Sequence, residues 1–285
     1  MAGNEGMVLI DRSSPVYLEV ARLHQIALSL RPGGIDRWNG DLYARSDDKW
    51  GGLGRDGTMR LNQDLVLRHL TGGELSDDPA IQGQALSTVL HESTHARSEF
   101  DAKYEPNALR LQQSVGLDEG LTETATTDDF ETFAQLAGYP DVPKPPVPEY
   151  AGAVHATNEL LDRASTGEAD RRELITTALN SPVMMRWDVL ADRIVQNELG
   201  DVVPQDPSHQ QAARAHLINN MAVPEWHGVQ DRPKAGEMVT RLTTESLDRA
   251  VAEVREHYQN TPGGAVPRQG PEPGGGCGSG DRPAG

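Results

Sequence analysis

The chain has 285 residues, of which 43 are acidic and 26 basic, so its formal net charge is −17; 36% of the residues are hydrophobic. Once glycine is counted, this apolar content is ordinary for one or two globular domains, which excludes disorder over the whole length. The acidic charge excludes a protein that binds nucleic-acid duplexes by neutralising phosphates, and it disfavours an anionic membrane surface as a partner.

The N-terminal residues lack the features of a secretory signal. Residues 1–6 contain no basic side chain, and the apolar run that follows, Met7 to Ile10, is four residues long. No apolar run approaches the roughly 20 residues that a membrane span needs. We therefore expect a protein that is cytoplasmic as synthesised and has no membrane partner; export by a leaderless system would leave no recognisable mark.

The first part of the chain combines one helix with short strands. Apolar residues at helical spacing predict a helix over residues 15–31. The stretch 34–62 is interrupted by glycines and predicts a few short strands, among them residues 42–44 and 58–61.

Two longer helices are predicted next. Asp78 followed by Pro79 is typical of a helix N-cap and first turn, and the pattern continues to about Phe100. A second helix is predicted from near Leu117 to about Leu136, before Gly138 and a proline.

The remainder is helical apart from its two ends. A Pro-rich connector covers 140–148, and helical spacing continues over 149–259. Residues 261–285 contain nine glycines and five prolines and predict a disordered tail. The only cysteine, Cys277, lies in this tail, so an intrachain disulfide and a cysteine-based zinc site are excluded.

These patterns predict an α+β protein in three parts. Residues 1–140 form a small strand-containing lobe that carries the two longer helices, and residues 141–260 form a mainly helical lobe. Residues 261–285 form the tail. We expect a cleft between the two lobes.

The chemistry-bearing motif is a histidine pair inside the predicted long helix. His91, Glu92 and His95 form a HExxH pattern. Residues i and i+4 lie on the same face of a helix, so both imidazoles can bind one ion while Glu92 projects beside them. Imidazoles suit Zn²⁺, and a catalytic zinc site needs a third protein ligand and an open position for water.

A source for that third ligand follows 23 residues after His95. The predicted second helix begins near Leu117, and Asp118 and Glu119 follow directly. Glu119 and Glu123 place two carboxylates at i and i+4 on this helix. A carboxylate from this neighbouring helix would complete the set of three protein ligands.

Together, these segments resemble the gluzincin zinc metallopeptidases, over roughly residues 57–137. The resemblance implies a zincin-like lobe in which His91, His95 and Glu119 bind zinc. It also implies that Glu92 is the general base and that Glu123 hydrogen-bonds a zinc-binding histidine. In zincins an extended substrate pairs with an exposed strand beside the metal helix, and the resemblance places that strand at residues 57–62.

Simpler interpretations remain open for each residue. His91 and His95 can be ordinary surface or core histidines, and Glu119 can be an acid that interacts with a helix N-terminus. Glu123 can replace Glu119 as the ligand, because both lie on one helix face.

The residue that stabilises the transition state is not specified by the sequence. Candidate donors are Tyr139, Tyr150, His155 and His227.

The predicted function is zinc-dependent hydrolysis of peptide bonds in a peptide or protein substrate, with Glu92 activating a water molecule. The alternative is a zinc-stabilised or catalytically degenerate zincin-like module, a binding protein or secreted toxin-like effector without general protease activity. A cleft in so acidic a protein should prefer neutral or basic substrate segments.

Overall fold

A computed structural model describes residues 6–260 and gives an α+β fold, as predicted. Its strands are β1 (Val8–Leu9), β2 (Leu42–Arg45), β3 (Gly51–Leu53) and β4 (Met59–Asn62). Its α-helices are α1 (Pro15–Leu30), α2 (Pro79–His95), α3 (Gln113–Leu136), α4 (Ala151–Ala164), α5 (Glu168–Asn180), α6 (Arg186–Leu199), α7 (Pro207–Met221) and α8 (Gly236–Asn260). The predicted tail, with Cys277, lies outside the described residues.

The four strands form one sheet in the order β1-β2-β4-β3. β2 and β4 are parallel, with Leu42 opposite Met59, and their apolar residues are buried. β3 pairs antiparallel with β4 and occupies the outer position next to α2. Both predicted strands are confirmed, as β2 and β4.

α2 begins where the sequence predicts and ends earlier. The Asp78 side chain accepts a hydrogen bond from the Ile81 backbone N–H at 3.1 Å, and Pro79 opens the helix. The helix stops at His95 because the carbonyls of Ala96 and Arg97 accept hydrogen bonds from the loop at residues 35–37. The prediction of a helix to Phe100 is therefore wrong in its last turn.

α3 begins one turn earlier than predicted, at Gln113. Asp118 and Glu119 consequently lie in its second turn, beyond the first turn where a helix dipole stabilises acidic side chains. An interaction with the N-terminus of the helix therefore does not explain Glu119.

Buried apolar side chains form two clusters that meet along α3. The sheet core includes Val20, Leu42, Leu86 and Phe133. The helical core includes Leu121, Leu160, Trp187, Leu217 and Val254. The first half of α3 belongs to the helical core and its second half to the sheet core, so this helix fixes one cluster relative to the other.

α3 and α4 make a close contact at Gly120. A Cβ at this position would overlap the Thr157 hydroxyl oxygen and the carbonyl oxygen of Ala153. Glycine is therefore required at the residue that follows Glu119, and the contact fixes the position of this part of α3.

No helix within residues 6–260 combines the length and apolarity that crossing a lipid bilayer demands.

We expect Gly120→Ala to destabilise the protein by about 1–3 kcal/mol, because the added methyl group must push α4 away from α3. Urea denaturation of the purified variant measures the loss. The exposed Glu131, on the same helix, provides a control: Glu131→Ala should change stability by less than about 0.5 kcal/mol. Wild-type stability of Gly120→Ala would contradict the close packing described here.

Candidate metal centre

Three nitrogen and oxygen atoms converge between α2 and α3. His91 and His95 lie one turn apart on α2, and their Nε2 atoms are 3.0 Å apart. Each Nε2 atom lies 3.3 Å from the same atom, Oε2 of Glu119 on α3. These three residues form a group that could hold a metal ion.

The spacing of these atoms fits a tetrahedral zinc ion. Zinc binds imidazole nitrogen and carboxylate oxygen at about 2.0–2.2 Å, which places neighbouring ligand atoms about 3.3 Å apart. The observed separations are 3.0, 3.3 and 3.3 Å. Two histidines and one carboxylate are also a ligand set that leaves a fourth position open.

Carboxylates occupy the outer side of both imidazoles. Nδ1 of His91 is 2.8 Å from Oε2 of Glu123, whose other oxygen accepts a hydrogen bond from the Glu149 backbone N–H at 3.0 Å. Nδ1 of His95 is 3.4 Å from Oδ1 of Asp118. A proton on each Nδ1 satisfies these carboxylates and leaves the Nε2 lone pairs facing inward.

Glu119 and Glu123 therefore have different positions, although they share a helix face. Glu119 faces both Nε2 atoms, whereas Glu123 faces the outer nitrogen of one histidine only. This arrangement favours Glu119 over Glu123 as the third ligand.

Without a metal ion, protons bound to the histidines must offset the negative charge of the carboxylates in this cluster. Burial alone would lower the pKa of His95, but Asp118 and Glu119 outweigh it and raise that pKa to about 9. Burial is likewise outweighed at His91, where Glu119 and Glu123 raise the pKa well above its ordinary value. The two histidines hold the pKa of Glu119 below its ordinary value against the effect of burial.

Glu92 lies beside the cluster with a free carboxylate. The residue is 6% exposed, and its side chain forms no hydrogen bond with any of residues 6–260. Burial raises the pKa of Glu92 to about 7, against the opposing effect of His91 and His95. A Cβ at Gly51 on β3 would lie 2.6 Å from Oε1 of Glu92, so only glycine allows the strand to approach this closely.

One of the four predicted transition-state donors lies at the cluster. The Tyr150 ring centroid is 5.4 Å from that of His91. The Tyr139 hydroxyl is committed elsewhere, because it donates to Glu19 at 2.7 Å and accepts from a backbone N–H. His155 and His227 are exposed, and the structure shows no contact of either with the cluster.

The prediction that residues 57–62 form the substrate-pairing strand is wrong. The run at residues 57–62 becomes β4, whose two edges are already paired with β2 and β3. An interior strand has no unpaired backbone groups to offer a peptide. Within residues 6–260, the strand with an outer edge beside α2 is β3, which the sequence pattern did not distinguish because two of its three residues are glycines.

Two further residues at the site were not predicted as functional. Asp118 could have been noticed, since it stands next to Glu119 in the sequence. Arg186, which pairs with Asp118, lies 68 residues away and had no signal in the pattern.

We expect the metal-free protein to lose stability as the pH rises from about 6.5 to 9. The pKa of His95 is higher in the folded state than in the unfolded chain, so its contribution is complete below pH 6.5 and disappears through pH 9. The part of this loss that comes from His95 should be on the order of 3 kcal/mol. Chemical denaturation of chelator-treated protein across this range measures it.

Zinc should restore the lost stability at pH 9, because the metal replaces the protons in the cluster. The variant His95→Asn should show a flatter pH profile, with the contributions of His91 and Glu92 remaining. An identical profile in wild type and variant, or stability that increases with pH, would contradict this account of the cluster.

Comparison of the chain with protein-family models, with curated proteins and with solved structures gives no match. The resemblance to gluzincins therefore remains an expectation from the sequence motif.

Proposed function

We propose that this chain is a zinc-dependent metallopeptidase. The observation that supports the proposal most directly is the convergence of three metal-binding atoms, on His91, His95 and Glu119, beside the free buried carboxylate of Glu92. A purely structural zinc site has four protein ligands and no need of an unpaired acid next to it.

The residues of the site have distinct roles in this proposal. His91, His95 and Glu119 would hold zinc, which would supply the Lewis acidity that acidifies water and polarises a carbonyl group. Glu92 accepts a proton from the attacking water and transfers it to the leaving amine. Glu123 and Asp118 orient the two histidines by accepting their Nδ1 protons.

β3 would bind the substrate. Gly51–Leu53 pair with β4 on one side only within residues 6–260, and Gly51 touches Glu92. An extended peptide that adds to this outer edge would lie beside the cluster, with its backbone held by hydrogen bonds to the strand, and it would displace the hydrogen bond that the Gly51 carbonyl accepts from Arg45 at 2.8 Å.

Tyr150 would stabilise the oxyanion. Its ring packs on His91, and its hydroxyl forms no hydrogen bond with any of residues 6–260. Burial and the neighbouring carboxylates raise the pKa of Tyr150 above its ordinary value, so the hydroxyl keeps its proton and can donate it in a hydrogen bond.

The charge of the site restricts the substrate. The charges of Glu119 and Glu149 disfavour ionisation of Glu92, and those of Glu119 and Glu123 disfavour ionisation of Glu149. Bound zinc does not neutralise this group of carboxylates, so neutral or basic peptide segments should bind better than acidic ones.

We expect Glu92→Gln to lower the rate of peptide hydrolysis by about 10²–10⁴-fold, because the amide cannot accept the proton. Zinc binding should stay at one equivalent. A peptide library with mass-spectrometric detection measures hydrolysis, and atomic absorption measures zinc. The exposed surface residue Glu131 provides the matched control, and Glu131→Gln should retain full activity.

Wild-type activity in Glu92→Gln would exclude the proposed mechanism. Stoichiometric zinc without hydrolysis of any library peptide by the wild type would instead favour a zinc-stabilised module that binds a partner without turnover.

We expect Tyr150→Phe to lower kcat by about 10–10³-fold with little change in KM, because the hydroxyl acts on the transition state only. Steady-state kinetics on the best library peptide measure both constants. Tyr139→Phe is the control: it removes a hydroxyl that bonds to Glu19, and it should lower stability without changing kcat. A larger kcat effect at Tyr139 than at Tyr150 would contradict this assignment.

A further inference from the structure

A fully buried arginine lies behind the metal centre. Arg186, the first residue of α6, has no exposed surface. Its Nη1 atom forms an ion pair with Oδ1 of Asp118, and its Nη2 atom donates to the Ser98 hydroxyl at 3.2 Å. A buried guanidinium is strongly destabilising unless it is paired, so its position is set by these partners.

The partner of Arg186 is also the partner of a proposed zinc ligand. The same oxygen, Oδ1 of Asp118, lies 3.4 Å from Nδ1 of His95. A continuous path therefore runs from the guanidinium through one carboxylate to the imidazole whose Nε2 faces Glu119. The orientation of His95 depends on where Arg186 holds Asp118.

The backbone around Arg186 is attached to the chain that follows α2. The backbone N–H groups of Val183 and Met184 donate to the carbonyls of Glu99 and Phe100 at 3.0 and 3.2 Å. These hydrogen bonds attach the start of α6 to the segment that directly follows His95 in the sequence. They thereby hold the Arg186 guanidinium in a defined place.

Both orienting carboxylates are held by residues beyond position 140. Glu123, which faces His91, accepts a hydrogen bond from the Glu149 backbone. Asp118, which faces His95, is paired with Arg186. The proposed ligands themselves all lie before position 140, so the second half of the chain contributes their support rather than their donor atoms.

We propose that Arg186 is a positioning residue of the metal centre, which sets zinc affinity by holding Asp118 against His95. This inference rests on the proposed function for the identity of the metal and its ligands. Loss of the guanidinium leaves Asp118 buried without its cation and free to turn away from His95. Changes of this kind around metal ligands typically weaken metal binding by 10–100-fold.

The chain offers a matched control. Arg31 is 3% exposed and pairs with Asp129, which lies on the same helix as Asp118. Asp129 is ten residues beyond Glu119, about 15 Å along the helix, and it contacts neither histidine. Arg31→Gln therefore removes a comparable buried ion pair without touching the metal centre.

The experiment compares the zinc affinity of folded wild type, Arg186→Gln and Arg31→Gln by competition with a chromophoric chelator. We expect zinc to bind 10–100-fold more weakly to Arg186→Gln, and within about twofold of wild type to Arg31→Gln. Circular dichroism and thermal unfolding without metal establish that each variant is folded.

Milder variants apply if Arg186→Gln does not fold. Arg186→Lys keeps the charge and should restore most of the affinity, with a loss below tenfold. Ser98→Ala removes only the second partner of the guanidinium and should cause a smaller loss in the same direction.

A double-mutant cycle separates the path through Asp118 from a general effect. Arg186→Gln and Asp118→Asn should be non-additive in zinc affinity, because they interrupt the same path. Arg186→Gln and Glu123→Gln should be close to additive, because they act through different histidines.

Wild-type zinc affinity in Arg186→Gln, or an equal loss in Arg31→Gln, would overturn this inference and leave the proposed peptidase unaffected. Weak zinc binding in Arg186→Gln combined with an inactive wild type would support the inference and refute the peptidase. A wild type that binds no zinc would refute both.

Discussion

Three electron-rich atoms face one another between α2 and α3, and the rest of the site is arranged around this constraint. Two imidazole nitrogens and one carboxylate oxygen lie 3.0–3.3 Å apart in a mostly buried position. Such a group is unfavourable unless a cation occupies its centre. Protons can partly fill this role, as the raised pKa values of His91 and His95 show, and a divalent metal would fill it better.

The fold supplies the rigidity that this cluster needs. α3 belongs to both hydrophobic cores, and Gly120 brings it against α4 directly beside Glu119. On the other side, Gly51 lets the outer strand of the sheet approach Glu92. The proposed ligands, the proposed base and the outer strand edge are thus held by regular elements rather than by loops, which favours a defined geometry at the cluster.

Local signals explain which parts of this site could be predicted from the sequence. The helix start at Asp78 and the HExxH spacing depend only on neighbouring residues, so His91 and His95 were placed correctly on one face. The end of α2 at His95 depends on hydrogen bonds from the loop at 35–37, and the role of Arg186 depends on a contact over 68 residues. Such long-range contacts leave no periodic pattern in the sequence. The free edge of β3 depends in the same way on strand order, which its glycines do not reveal.

X-ray absorption at the zinc edge, on the full chain loaded with one equivalent of zinc, tests the central claim most directly. The account predicts a first shell of nitrogen and oxygen atoms at about 2.0–2.1 Å, with the outer-shell scattering of two imidazoles and with no sulfur. Replacing His91 or His95 by alanine should remove one imidazole from that signal. A shell of water oxygens alone, or a sulfur contribution, which only Cys277 or a methionine could provide, would contradict the proposed centre.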